Sequence, residues 1–425
     1  MDDTTKTQIM NAVDESFEAQ LEFTGELVRF PSVRGAEAGA QDFMAKQLTD
    51  RGYAVDRWKI ELDDIAHLPG FSPVHTSYEN AFNVVGAHRA DNPKGKSLIL
   101  NGHIDVVPTG PLEMWSSPPF EPRVENGWMY GRGAGDMKAG IAEAVFAMEA
   151  LKRTGYRPAA DVFIQSVIEE ECTGNGALAC LQRGYRADAA LIPEPMGEQL
   201  IRAQVGVIWF QVKLSGHPVH VATAGTGANA VEAAFPIIQE LHALEKAWNS
   251  QERRHAAFAQ VDHPINLNVG RIEGGDWASS VPSWCTFDVR VAIFPEQNID
   301  EARAEIEACI HQAAKQNSFL AKSPPEVVYH GFLAEGYELT GGEDAEAVLR
   351  EAHQTVYQTP LTEVASTATT DARFFGLYAD IPALVYGPNS ELIHGFDERV
   401  EVESIRKNTQ AMALFIADWC GLEPM

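Results

Sequence analysis

An apolar run that ends in chemistry narrows most sharply what this chain can fold into: Ser97-Leu98-Ile99-Leu100 leads directly into Asn101-Gly102-His103-Ile104-Asp105. A short apolar run closed by a glycine reads as a buried strand. Side chains two apart on a strand project to the same side, so His103 and Asp105 share a face at its C-terminal continuation. Further on, Gly131-Arg132-Gly133-Ala134-Gly135-Asp136-Met137-Lys138 adds a second carboxylate on a glycine-rich loop. A histidine and two carboxylates at strand ends form the pattern of a metal site.

The pattern recurs along the chain. Val162-Phe163-Ile164-Gln165-Ser166-Val167-Ile168, rich in β-branched and aromatic residues, runs into Glu169-Glu170-Glu171. Three adjacent acids repel one another, and two readings stand: solvation on a loop, or neutralisation by a cation. Ala190-Leu191-Ile192-Pro193 ends in Glu194, and Leu392-Ile393 ends in His394. Taken alone, such a histidine is more often structural than a ligand.

After Asp136, residues Ile141, Val145, Met148 and Leu151 fall on one helical face. Strand, loop, helix and strand in succession predict an α/β fold: a mostly parallel sheet with helices on its faces, its ligand site beyond the carboxyl ends of the strands. Met10, Val13, Phe17, Leu21 and Val28 predict an N-terminal amphipathic helix that Phe30-Pro31-Ser32 stops. Residues 59–79 read as a surface excursion without recognisable chemistry.

From Gly206 the character changes. Strand-like 207–214, helical 229–248 with a kink at Pro236, strands at 265–271 and 286–293, a helix at 300–316 and a strand around Val327-Val328-Tyr329 give the order β-α-β-β-α-β. This is a ferredoxin-like α+β motif inserted into the first domain. The expected division is 1–205, catalytic domain, first part; 206–330, inserted domain; 331–425, catalytic domain, second part.

A chain of 425 residues is long for one core, which agrees with two domains. Its formal net charge of -27 disfavours nucleic acid and anionic membrane surfaces as partners. No apolar run approaches the roughly 20 residues that span a bilayer, and the N-terminus is polar, so a cytoplasmic protein is expected. Cys172, Cys180, Cys285, Cys309 and Cys420 show no Cys-x-x-Cys spacing and read as reduced and packed, Cys172 being a bystander beside the acids.

Five separated motifs, in order from Phe30-Pro31-Ser32 to His394-Gly395-Phe396-Asp397-Glu398, give the chain a close resemblance to the M20 family of dinuclear zinc hydrolases, which includes acetylornithine deacetylase, succinyl-diaminopimelate desuccinylase, aminoacylases and glutamate carboxypeptidases. The resemblance implies two Zn2+ per subunit, with Co2+ or Mn2+ as substitutes. His103 and Glu194 would hold one ion, Glu171 and His394 the other, and Asp136 would span both. It implies Glu170 as general base, a cis peptide at Asp136-Met137, and Asp105 as the carboxylate that orients His103. His220, in Gly216-His217-Pro218-Val219-His220, matches a histidine of the family's lid domain that reaches across a homodimer to stabilise the tetrahedral oxyanion. The inserted domain would be that lid and the dimer contact.

The chain departs from the family where a substrate carboxylate is usually held. Counted from Pro282, the customary asparagine and arginine positions carry Ser279 and Ala292. Arg290 lies on the same strand face as the latter and is a substitute candidate. Thr369-Thr370-Asp371-Ala372-Arg373 resembles the family's Ser/Thr-Asp-x-Arg segment and offers Thr370 and Arg373, the arginine serving either as an anion clamp or as a partner for Asp371. The resemblance therefore implies a metal-dependent N-deacylase acting on a small N-acylated compound. A dipeptidase or carboxypeptidase and an N-formylaminopyrimidine deformylase are the enzymatic alternatives. A binding protein on an inactive scaffold is the non-enzymatic one, against which all five ligand positions and the base are filled.

Overall fold

The computed structural model describes all 425 residues. The N-terminal helix spans Asp3–Arg29, capped by the Asp2 carboxylate accepting from Thr5 N at 2.8 Å, and buries Ile9, Val13, Leu27 and Val28. Six strands form the central sheet in the order Ala54–Lys59, Phe82–His88, Val162–Val167, Leu98–His103, Ala189–Ile192, Ala383–Val385. The last four are mutually parallel, and Phe82–His88 alone runs against the rest. The mostly parallel sheet is thus present, with one reversed strand near its edge. Val162–Val167, Leu98–His103 and Ala189–Ile192 are buried at every position, which is why each opens on consecutive apolar residues rather than alternating with polar ones. The first helix packs on helices Ala139–Arg153 and Val402–Cys420, helix Glu343–Tyr357 packs on Val402–Cys420, and all share one core with the sheet.

Register, more than composition, positions the site. Leu98–His103 pairs with Val162–Val167 so that His103 lies opposite Val167, and Ile104 N donates to Val167 O at 2.8 Å. The histidine and the turn carrying the three glutamates therefore leave the sheet at one level.

A second sheet, antiparallel throughout, has the order Leu267–Gly274, Trp284–Ile293, Gly206–Ser215, Glu326–Ala334. Helices Ala230–Trp248 and Ile299–Ala314 join it in a separate core built on Phe210, Ile237, Phe287 and Ile306. The β-α-β-β-α-β order is the one the sequence predicts. Pro236 lies inside the helix Ala230–Trp248. The last strand crosses residue 330, because Gly331 at φ 83 lets the chain continue into the half-buried and buried run Phe332-Leu333-Ala334. A short sheet of Tyr337–Glu338, Leu200–Gln204 and Glu363–Ser366 ties together the two places where the chain passes between these units. No helix is long and apolar enough to cross a membrane, and all five cysteines are free.

Candidate metal centre

The structure brings His103, Asp136, Glu170, Glu171, Glu194 and His394 together at the carboxyl ends of the parallel strands. Asp136 stands between two histidines: its Oδ1 lies 3.1 Å from His103 Nε2 and its Oδ2 lies 3.3 Å from His394 Nε2. Glu171 Oε2 is 3.1 Å from His394 Nε2, while Glu194 Oε1 and Glu170 Oε2 each lie 3.9 Å from His103 Nε2. Two overlapping sets, His103 with Asp136 and Glu171, and His103 with Glu170 and Glu194, are close enough to share an ion. The His103 side chain is enclosed, whereas that of His394 is 52% exposed and forms the open edge.

Each donor is held from behind. His103 Nδ1 lies 2.9 Å from the backbone carbonyl of Asp105 and donates to it, which leaves Nε2 free to bind a metal. The predicted Asp105–His103 link is thus made through the carbonyl, the carboxylate oxygen being 3.6 Å away. The Asp105 carboxylate instead accepts the backbone N–H of Glu170 at 3.3 Å and of Glu171 at 3.1 Å, because the strand register sets that turn above it. Glu398 Oε1 accepts Gly135 N and Asp136 N at 3.0 and 3.1 Å, and its other oxygen pairs with buried Arg132. The Asp136–Met137 peptide is cis. Glu194 follows Pro193, against which Gly140 and Gly387 pack closely: a Cβ at Gly140 would lie 2.1 Å from Pro193 O, and one at Gly387 2.1 Å from Glu194 O.

The electrostatics suit a cation. Burial raises the carboxyls of Glu170 and Glu194 well above their ordinary values, His103 opposing and neighbouring acids reinforcing. Burial pulls the opposite way on Asp136, but hydrogen bonds from His103 and His394 and their charge lower it overall. On His394 burial is outweighed by Glu171 and Asp136, which push it up to about 11. Without a cation the acids thus draw protons onto the cluster. Imidazole and carboxylate donors converging in one buried place fit a divalent metal.

The other candidates stand apart from this cluster. Thr370 is buried, donating to Gln204 Oε1 at 2.7 Å and accepting from Ala372 N at 3.2 Å, so its hydroxyl is engaged inside the protein. Arg373 is 1% exposed and donates to Thr173 O at 2.9 Å; its Nη1 has no partner. It lies beneath the glutamate turn and makes no ion pair with Asp371, so the predicted alternative of such a pair is not formed. Arg290 donates to the carbonyls of Asn266 and Thr367 at 3.3 and 3.2 Å. His220 is exposed on the smaller unit, its Nδ1 accepting from Ala222 N at 3.1 Å. Sequence reasoning missed Arg132 and Glu398, which brace Asp136, and Asp371, a buried carboxyl with an unpartnered Oδ2 that burial raises to about 7. All three lie within the glycine-rich, His394 and 369–373 motifs, but the roles of Arg132 and Glu398 depend on contacts with partners remote in the chain, which spacing does not reveal.

A buried cluster of imidazole and carboxylate donors at strand ends, with one glutamate beside it, defines a metal-dependent hydrolase. The profile of "Peptidase family M20/M25/M40" matches residues 99–418, and the chain belongs to that family. It is 29% identical to N-formyl-4-amino-5-aminomethyl-2-methylpyrimidine deformylase of Bacillus subtilis, with 97% of each chain covered. It is 28% identical to succinyl-diaminopimelate desuccinylase of Delftia acidovorans, covering 91% of this chain and 94% of that one. Among solved structures the dipeptidase Dug1p of Saccharomyces cerevisiae superposes with a TM-score of 0.78 at 16% identity over 98% of each chain. A dinuclear metal-binding M20 peptidase of Bacillus subtilis superposes with a TM-score of 0.58 at 14% identity, covering 96% of this chain and 99% of that one.

Proposed function

We propose that the protein is a dinuclear zinc N-deacylase that removes a small acyl group from an amine, with an N-formylated heteroaromatic amine as the preferred substrate class. The observation that carries the chemistry is Asp136, which offers one oxygen toward each of two histidines, with Glu194 and Glu171 beside them. His103 and Glu194 would hold one zinc, Glu171 and His394 the other, with Asp136 between. When bound, the metal pair supplies Lewis acidity that activates a water and polarises the scissile carbonyl. Glu170, beside the cluster with its Oε2 3.9 Å from His103 Nε2, would take a proton from the attacking water and deliver it to the leaving nitrogen.

The substrate class rests on two supports. The deformylase relative matches over nearly its whole length. The residues that would grip a substrate carboxylate are replaced at Ser279 and Ala292, while Arg290 and Arg373 donate to backbone carbonyls.

The assembly is read as a homodimer formed by the inserted domain acting as a lid. Leu267–Gly274 is an edge strand, and Phe235, Ile272 and Trp277 are exposed on the same unit, at 54%, 47% and 72%. His220, unattached to its own chain's cluster, would complete the partner's site. Five unpaired thiols suit the cytoplasm.

Replacing Glu170 with Gln tests the central claim. The variant is expected to retain zinc while turnover on N-formyl, N-acetyl and N-succinyl amines and dipeptides falls by about 10² or more. Undiminished turnover would remove Glu170 from the mechanism, and hydrolysis of dipeptides alone by wild-type protein would favour the peptidase reading.

A further inference from the structure

Glu169, the first of the three adjacent acids, faces away from the metal cluster. Its Oε1 accepts from Arg34 Nε at 2.6 Å and its Oε2 from Arg34 Nη2 at 2.8 Å, a bidentate pair. Tyr78 Oη donates to the same Oε2 at 2.6 Å and Thr173 Oγ1 at 2.9 Å. The residue takes the left-handed conformation, φ 68, and its carbonyl accepts the N–H groups of Cys172, Thr173 and Gly174 at 3.3, 2.9 and 2.7 Å. Side chain and carbonyl thus knot the turn from one end, while Asp105 holds the N–H groups of Glu170 and Glu171 from the other. Arg34 comes from the segment after the first helix, and Tyr78 from the excursion in which the sequence shows no chemistry. Asn175 extends the knot, its Nδ2 donating to Ser72 O at 2.9 Å and Tyr78 Oη at 3.2 Å.

We propose that Arg34 and Glu169 are positioning residues for the reaction: their half-buried ion pair fixes the turn so that Glu170 faces the scissile bond and Glu171 faces the metal. The proposal rests on the reading of Glu170 as base. Charge supplies the reason for the pair. Three carboxylates in succession crowd like charge beside a catalytic centre, and Arg34 neutralises the first, leaving Glu171 to a metal and Glu170 free to move a proton. Removing Arg34 leaves the buried Glu169 carboxylate without its counter-charge, which costs more than removing both.

The test compares Arg34→Met, Glu169→Gln and the double variant with wild type, reading kcat, KM, zinc affinity and melting temperature. Arg34→Met is expected to lower kcat or zinc affinity about 10- to 100-fold, the range for residues that orient a metal site from behind, with KM within about twofold because neither residue touches substrate. The double variant is expected to recover part of the loss. Should Arg34→Met fail to fold, Arg34→Lys and Tyr78→Phe, which keep charge and ring, are expected to show the same kcat loss in milder form. A lowered melting temperature with wild-type kcat and zinc affinity would reduce the pair to a structural role, and a rise in KM without recovery in the double variant would make Arg34 a substrate contact. Either result overturns the proposal. Full turnover by Glu170→Gln sinks the base reading alone, since zinc affinity still reports on Glu171.

Discussion

Glu143 shows how far a single residue's protonation can be set by its surroundings. It lies in helix Ala139–Arg153, fully buried, and neither carboxyl oxygen has a partner. Burial, reinforced by the charge of Glu198, raises its carboxyl well above the ordinary 4.5. Below that ordinary value it is protonated in folded and unfolded chains alike. Above it the unfolded chain releases the proton and the folded chain keeps it, so stability falls as pH rises until the raised folded value is reached. The melting temperature of Glu143→Gln relative to wild type is therefore expected to climb from pH 5 to pH 8, measured by calorimetry at fixed zinc. A difference independent of pH would show that Glu143 is solvated. Nothing in the sequence sets this glutamate apart from surface acids, since only the helices packed around it decide its burial. Glu170 and Glu171 were legible because a strand led into them; Glu169, in the same run, serves a different purpose because Arg34 lies beneath it.

At the scale of elements, the placing of Glu194 depends on the contact between helix Ala139–Arg153 and the end of strand Ala189–Ile192. Helix propensity alone would make Gly140→Ala favourable by about 1 kcal/mol. A Cβ there would sit 2.1 Å from the backbone oxygen of Pro193, and overpacking of that kind costs about 1–3 kcal/mol. The clash wins, because backbone cannot swing aside as a side chain can. Gly140→Ala is expected to shift Glu194 and weaken binding of one zinc about tenfold or more, read by metal titration, with the other zinc less affected. Equal, undisturbed binding at both would mean that Glu194 is not a ligand. Part of the element order followed from periodicity: the N-terminal helix, the helix after Asp136 and the buried strands lie where the apolar spacing puts them. Pro236 and Gly331 were less transparent, since a proline can be carried within a helix and a glycine can extend a strand when the neighbouring packing demands it.

For the whole molecule, the proposed lid predicts that activity depends on two chains. Mixing His220→Ala with Glu170→Gln chains is expected to restore part of the activity, up to about a quarter of wild type if chains pair at random and one intact site per mixed dimer survives. No recovery in dimers shown to be mixed would place His220 outside the site. The sheet of Leu200–Gln204, Tyr337–Glu338 and Glu363–Ser366 joins both chain crossings, so the two units are tied at one edge. The sequence by itself determined the α/β class, the order of the inserted β-α-β-β-α-β unit and, through its family motifs, the six chemical groups, because alternation, periodicity and short motifs are local. Only the tertiary structure decided what braces those groups: Asp105 binding the glutamate turn through its carboxylate, Glu398 and Arg132 behind Asp136, and Arg34 and Tyr78 under Glu169. It likewise turned Thr370 and Arg373 inward, since hydrogen-bond partners remote in sequence leave no spacing to read.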